Sequence, residues 1–162
     1  MIRRKPVRRS GDHFVIALGE DESAMVRRLL AELSALLTDP EPESDARALL
    51  VRLFPIVHPD DEQEQAEYQR LMGDELVQSK LAAIARVDEV LSGADGGAVD
   101  EAGMTAFMQS VNSVRLVLGT MLGVTDDPDI DEVADGVEDS PEYHLYAYLS
   151  WLLEHTVRTL SD

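Results

Sequence analysis

The sequence predicts a mainly α protein, a five-helix bundle with a short N-terminal β-hairpin. Apolar residues recur at steps of three and four along four long stretches of the chain, which is the period of one face of an α-helix. Strand-forming residues concentrate near the start, where residues 7–9 and 13–18 flank a turn-forming run at residues 10–12. Because 162 residues suffice for one domain, we predict a single helical domain over residues 1–162.

Capping residues and prolines give the boundaries of the helices. The five helices are predicted over about residues 21–37, 44–54, 60–91, 101–121 and 141–162. Ser140 followed by Pro141 is the usual pair at a helix start, and Pro55 closes the second helix. Two segments are predicted to be loops, the glycine-rich residues 92–97 and the acidic residues 125–139.

The fourth predicted helix is the most apolar. Within residues 104–124, apolar side chains cover nearly the whole circumference of its middle, so we expect neighbouring helices on more than one side. Asn112 and Arg115 interrupt this surface, and Arg115 lies on the apolar stripe between Val111 and Leu118. A guanidinium group beside a core needs a carboxylate partner or a route to water. Arg115 therefore predicts a polar contact inside the bundle.

Two segments, residues 52–80 and 110–124, share a recognisable pattern. The pattern consists of Arg52-Leu53-Phe54-Pro55, Asp60-Asp61, Tyr68, Arg70 and the run Asn112-Ser113-Val114-Arg115-Leu116-Val117-Leu118-Gly119. On these residues most of the chain resembles a family of uncharacterised actinobacterial proteins classed as a domain of unknown function. Genes of that family often neighbour the gene of the ClpS proteolytic adaptor. Ser113 stands where the family pattern has an acid, and the resemblance implies no activity.

Charged residues placed among apolar ones indicate a candidate polar network. Its predicted members are Arg52, Asp60, Asp61, Glu67, Arg70, Asn112 and Arg115. Arg52 and Arg115 are flanked by apolar residues at helical spacing, whereas Glu67 and Arg70 also suit an exposed ion-pair ladder. Two roles fit such a network: to hold the bundle in one arrangement, or to line a ligand pocket.

The segment around residue 60 also supports an alternative hypothesis of metal binding or catalysis. His58, Asp60 and Asp61 offer nitrogen and oxygen ligands at close spacing. The competing interpretation is that both acids cap and charge the start of a helix. No further ligand follows at fixed spacing, and the signatures of P-loops, zinc proteases and nucleophile elbows are absent from the sequence. We therefore predict no catalytic residue, no bound metal and no cofactor.

The charge of the chain restricts its partners. There are 14 basic and 32 acidic residues, and the resulting net charge of −18 opposes binding to nucleic acid and to anionic lipid. Five of the basic residues fall within residues 1–9. This segment is predicted to be a solvated, flexible tail, and a DNA-binding arm is the less favoured alternative.

The remaining features favour an interaction protein. The chain has no cysteine, which is compatible with a reducing cytoplasm, and no run approaches the roughly 20 apolar residues of a membrane span. We predict a non-enzymatic protein-interaction or regulatory module of the cytoplasm, with a protein partner whose identity the sequence does not give. The aromatic residues of the last helix also suit a homodimer interface. They are Tyr143, Tyr146, Tyr148 and Trp151.

Overall fold

A computed structural model describes residues 5–38, 60–123 and 140–161. The strands are β1 (Val7–Ser10), β2 (His13–Ile16) and β3 (Ala98–Val99), and they form one antiparallel sheet in that order. The α-helices are α1 (Glu20–Thr38), α2 (Glu62–Leu91), α3 (Glu101–Met121) and α4 (Pro141–Ser161). The predicted fold class, a mainly α bundle with an N-terminal hairpin, is confirmed. The helix predicted over residues 44–54 and the acidic loop of residues 125–139 lie outside the described residues.

Side-chain caps determine where three of the helices begin. Asp61 Oδ1 accepts hydrogen bonds from the backbone nitrogens of the second and third residues of α2, at 3.1 and 3.0 Å. Asp100 Oδ1 accepts from the Gly103 nitrogen at 2.8 Å, and Ser140 Oγ accepts from the Tyr143 nitrogen at 3.1 Å. These contacts satisfy backbone donors that have no partner within the helix.

Helix α3 is the central element of the core. It packs most extensively against α4 and α2, and it also meets α1 and strands β2 and β3. Met104 and Phe107 on α3 and Leu152 on α4 are fully buried, each with 0% exposure. The apolar circumference of α3 is explained by this position, because neighbours on several sides each need an apolar surface to pack against.

The N-terminal hairpin is packed into the same core. Val7 is paired with Ile16 across the two strands, and both side chains are buried together with Phe14. Residues 7–9 of the predicted basic tail therefore belong to β1, while residues 1–4 lie outside the described part of the chain. Gly11, with a φ of +63°, occupies the turn position that favours glycine in a two-residue hairpin.

A third strand follows α2, between the predicted loop of residues 92–97 and the predicted start of the next helix, where the sequence predicts no strand. A 3₁₀ turn covers Ala94–Gly97, and β3 then pairs with β2 through Phe14 opposite Val99. Two residues are too few to show the alternation by which a strand is recognised in a sequence. The strand forms because it pairs with the edge of β2. The two strands are more than 80 residues apart in the sequence.

Candidate functional site

Arg115 makes its polar contacts with uncharged groups. Its Nη2 atom donates to Asn112 Oδ1 at 3.0 Å, and its Nη1 atom donates to Tyr146 Oη at 3.3 Å. The guanidinium carbon lies 5.9 Å from the centre of the Tyr146 ring. Within the described residues Arg115 forms no ion pair, and its buried Nε atom has no hydrogen-bond partner. The contact therefore links α3 to α4.

The other predicted members of the polar network are spread along the start of α2 or lie outside the described residues. Asp60, Asp61 and Glu67 are exposed, and Asp61 caps α2. Arg70 lies in α2, and Arg52 falls within residues 39–59, which the structure does not describe. Of the predicted network, the structure thus brings together Asn112 and Arg115.

The metal hypothesis rests on three residues at the start of α2. His58 lies outside the described residues, and Asp61 uses its Oδ1 atom for the helix cap. In the described part of the chain, no cluster of three or more His, Cys, Asp or Glu residues is arranged to hold a metal ion. Asp60 is exposed beside the cap, so the two acids are placed where a helix dipole favours negative charge.

Replacement of Arg115 tests how much its contacts contribute to stability. We expect Arg115→Ala to lower the free energy of unfolding by about 1–2 kcal/mol, because two hydrogen bonds and the contact with the Tyr146 ring are lost. Urea denaturation measures this change. Arg28→Ala is the matched control, since Arg28 is 81% exposed and forms an ion pair with Glu32 within α1, so its loss should cost less than about 0.5 kcal/mol. Equal losses in both variants would show that the Arg115 contacts contribute nothing.

A polar cleft of about 310 Å³ lies between α2 and α3, and we call it the Lys80 cleft. It is lined by Leu76, Ser79, Lys80, Ala83, Ile84, Gln109, Ser110, Asn112, Ser113 and Leu116. Lys80 Nζ donates to Ser113 Oγ at 3.5 Å, a long hydrogen bond. Burial lowers the pKa of the Lys80 ammonium group, because a charge is less favourable away from water.

A larger, more apolar groove of about 700 Å³ lies between the start of α1 and one face of α4, and we call it the Trp151 groove. It is lined by Pro6, Ala17, Leu18, Gly19, Glu22, His144, Ala147, Tyr148 and Trp151. The four residues from α4 follow the spacing i, i+3, i+4 and i+7, which places them on one face of the helix. Among the described residues, none lines both the groove and the cleft.

The groove is held in shape by contacts across the fold. Tyr148 Oη donates to Glu22 Oε2 at 2.5 Å, which joins α4 to the first turn of α1. Burial, followed by this hydrogen bond, raises the pKa of the Tyr148 hydroxyl well above its usual range, so the hydroxyl remains a donor. The Ala17 nitrogen donates to the Pro6 carbonyl at 2.8 Å and fixes the other wall.

Comparison with protein families identifies the chain at the level of a family. The family described as Domain of unknown function (DUF2017) matches residues 4–160, which is nearly the whole chain and includes both the cleft and the groove. The chain belongs to this family. The DUF2017 description assigns no activity. No curated protein and no solved structure matches the chain.

Sequence reasoning missed the two concave surfaces of this DUF2017 protein. The sequence suggests a dimer interface for Trp151 and Tyr148, but it does not display the wall that α1 and the hairpin supply. Lys80 belongs to no sequence motif, and its position beside Ser113 follows from the packing of α2 against α3. The helical spacing of the α4 residues was the one signal that could have indicated a groove-lining face.

The described helices were also compared with the dimensions of a lipid bilayer. No helix in the described residues combines the length and the apolar content required to cross a membrane.

Proposed function

We propose that this protein is a non-enzymatic interaction module of the cytoplasm, and that the Trp151 groove binds a basic segment of a partner protein through an apolar anchor residue. The observation that carries the proposal is the groove itself, a concave surface with two aromatic side chains on one wall. Tryptophan and tyrosine are enriched among the residues that dominate binding energy at protein interfaces. The cytoplasmic setting agrees with the absence of cysteine and with the gene neighbourhood of ClpS that the resemblance implies.

The aromatic wall is suited to receive an apolar side chain. Trp151 is half-buried, with its ring 5.8 Å from that of Tyr148 and 4.7 Å from that of His155 between centres. Such packing limits the rotation of the indole, so little conformational entropy remains to be lost on binding. Leu18 and Pro6 add apolar side chains to the lining of the groove. An aliphatic or aromatic anchor of the partner would therefore remove existing apolar surface from water.

The charge around the groove indicates which sign of charge the partner segment should carry. Glu20 and Asp21 are exposed in the first turn of α1, next to Gly19 and Glu22 in the groove wall. The whole chain carries a net charge of −18, which attracts cationic partners over a distance. A segment with lysine or arginine beside its anchor residue is complementary to this field. The net charge of the chain opposes an acidic segment, although the exposed Lys5 adjoins Pro6 in the groove wall.

The proposal is tested by selecting peptides from a random display library and measuring their affinity with the fluorescence of Trp151, the only tryptophan of the chain. We expect the selected sequences to combine an apolar residue with lysine or arginine. Their dissociation constants should rise with ionic strength, because charge complementarity is screened by salt. Selection of no peptide, or of peptides rich in acidic residues, would contradict the proposal.

Substitutions then locate the binding surface. Trp151→Ala should weaken binding by roughly 10- to 30-fold, since it removes the main aromatic contact. Val157→Ala is the matched control, because Val157 is 43% exposed on the same helix and does not line the groove. Binding to Trp151→Ala would be followed by fluorescence of a labelled peptide. Equal weakening by both substitutions would place the interface elsewhere on the protein.

A second copy of the chain is the alternative occupant of the groove. Sedimentation equilibrium distinguishes it, since a homodimer built on the groove would dissociate in Trp151→Ala and would compete with the selected peptides. A wild-type dimer with this behaviour would replace the proposed partner segment by a self-interface.

A further inference from the structure

Lys80 has an unusual charge environment for this protein. The chain has 32 acidic residues for 14 basic ones, yet within the described residues Lys80 has no carboxylate partner. Its contact there is the Ser113 hydroxyl at 3.5 Å. The ammonium group is half-buried and directed at the wall of a cleft that is open to solvent. A cation in such a position can accept a negative group from outside the protein.

The Ser110 hydroxyl group supplies a second, independent indication of a ligand. Ser110 is 3% exposed and lines the cleft, and in the described residues its Oγ atom has no hydrogen-bond partner. Thr120 on α3 and Thr156 on α4 each donate their hydroxyl to the carbonyl four residues earlier. Ser110 makes no such bond, so a buried donor without a partner belongs to a residue that lines the cleft. A buried hydroxyl without a partner is costly unless something binds it.

Asn112 adds a third polar group, and its orientation is fixed by a hydrogen bond from Arg115. Its Oδ1 atom accepts from Arg115, so its NH₂ group is the part of the amide left to donate elsewhere. Asn112 lines the cleft, whereas Arg115 contacts Tyr146 on the α4 side. Arg115 is therefore a positioning residue for the cleft.

We propose that the Lys80 cleft binds the carboxylate group of a small organic acid. Lys80, Ser110 and Ser113 line the same cleft, and the Lys80 ammonium and both hydroxyl groups are able to donate hydrogen bonds to a carboxylate. Leu76 and Leu116 supply apolar surface for a short carbon chain. The volume of about 310 Å³ is at the lower end of the range for ligand pockets, so the cleft can hold only a small molecule.

A carboxylate fits these groups better than a phosphate does. One lysine supplies a single positive charge, which matches a monoanion better than it matches phosphate, whose charge near neutral pH lies between one and two. The site is separate from the Trp151 groove, because the two share no residue in the part of the chain that the structure describes. Failure of either proposal therefore leaves the other in place.

The test uses butyrate as the probe, with butyramide and inorganic phosphate as comparison compounds. Two-dimensional ¹H–¹⁵N NMR of the full chain reports the residues whose signals shift during each titration. We expect saturable shifts with butyrate at the amides of Lys80, Ser110 and Ser113, with a dissociation constant on the order of 1 mM. Butyramide, which has the same chain without the charge, should bind at least about tenfold more weakly. Equal binding of butyramide, tighter binding of phosphate, or the absence of saturable shifts with butyrate would overturn the proposal.

Two substitutions provide a further check. Lys80→Met keeps the apolar stem and removes the charge, and Ser113→Asp places a carboxylate of the protein itself beside Lys80. Each should weaken butyrate binding by at least about tenfold while the circular dichroism spectrum stays unchanged. Gln78→Glu is the control for added charge, because Gln78 is exposed on α2 two residues from Lys80 and does not line the cleft. Unchanged binding in Lys80→Met, or equal weakening by Gln78→Glu, would show that Lys80 does not hold the ligand.

Discussion

Phe107→Ala is expected to lower the free energy of unfolding by about 3–5 kcal/mol. Phe107 is at 0% exposure on α3, the helix that contacts the other three described helices and two of the strands. Removal of its ring loses the transfer free energy of the apolar surface and leaves a cavity that neighbours from several elements cannot fill together. The expected loss is a large fraction of the 5–15 kcal/mol that stabilises typical domains.

Urea denaturation followed by circular dichroism measures the loss for Phe107→Ala. Gln109→Ala is the control on the same helix, because Gln109 is exposed and the substitution should change stability by less than about 0.5 kcal/mol. A Phe107→Ala variant that unfolds at the same urea concentration as Gln109→Ala would mean that α3 is not the centre of the core.

Gly97→Ala is expected to cost about 2–4 kcal/mol. Gly97 has a φ of +84°, a backbone conformation that residues other than glycine rarely adopt. A Cβ atom at this position would lie 2.3 Å from the Ile16 carbonyl oxygen, so the backbone of β2 or of the 3₁₀ turn must move. Because this turn leads into β3, the movement would disturb the pairing of Phe14 with Val99.

Gly96→Ala separates the two causes of this cost. Gly96 also has a positive φ, +63°, but a Cβ atom there would meet no atom within 4 Å. Its substitution should therefore cost only the conformational strain, about 1–2 kcal/mol. Thermal or urea denaturation compares the two variants, and amide hydrogen exchange at Val99 reports the strand pairing. Equal stability of the two variants would show that the close approach of Gly97 to Ile16 is unimportant.

The parts of the fold that the sequence predicted correctly depend on neighbours along the chain. Asp61, Asp100 and Ser140 cap helices because each side chain accepts from a nitrogen two or three residues later. The hairpin of β1 and β2 likewise depends on a short turn that contains Gly11. Such interactions are determined by residue types at fixed short spacings, and a sequence displays those directly.

The parts that the sequence left open depend on residues that meet only after the chain has folded. For Arg115, the hydrogen bond to Asn112 spans three residues, whereas the hydrogen bond to Tyr146 spans 31. For Arg115 the sequence predicts a carboxylate partner or a route to water, because a charge beside a core needs one of the two. The packing of α4 against α3 supplies a phenol hydroxyl and an aromatic ring instead.

By itself, the sequence determined that this protein is a mainly α domain with a charge that opposes binding to nucleic acid, because helical period and net charge are properties of the chain before it folds. Only the tertiary structure decided where the concave surfaces lie and which side chains line them. Lys80 meets Ser113 across 33 residues, and Tyr148 meets Glu22 across 126 residues. Concave surfaces arise from elements that are distant along the chain, so their shape and charge are set by how the helices pack.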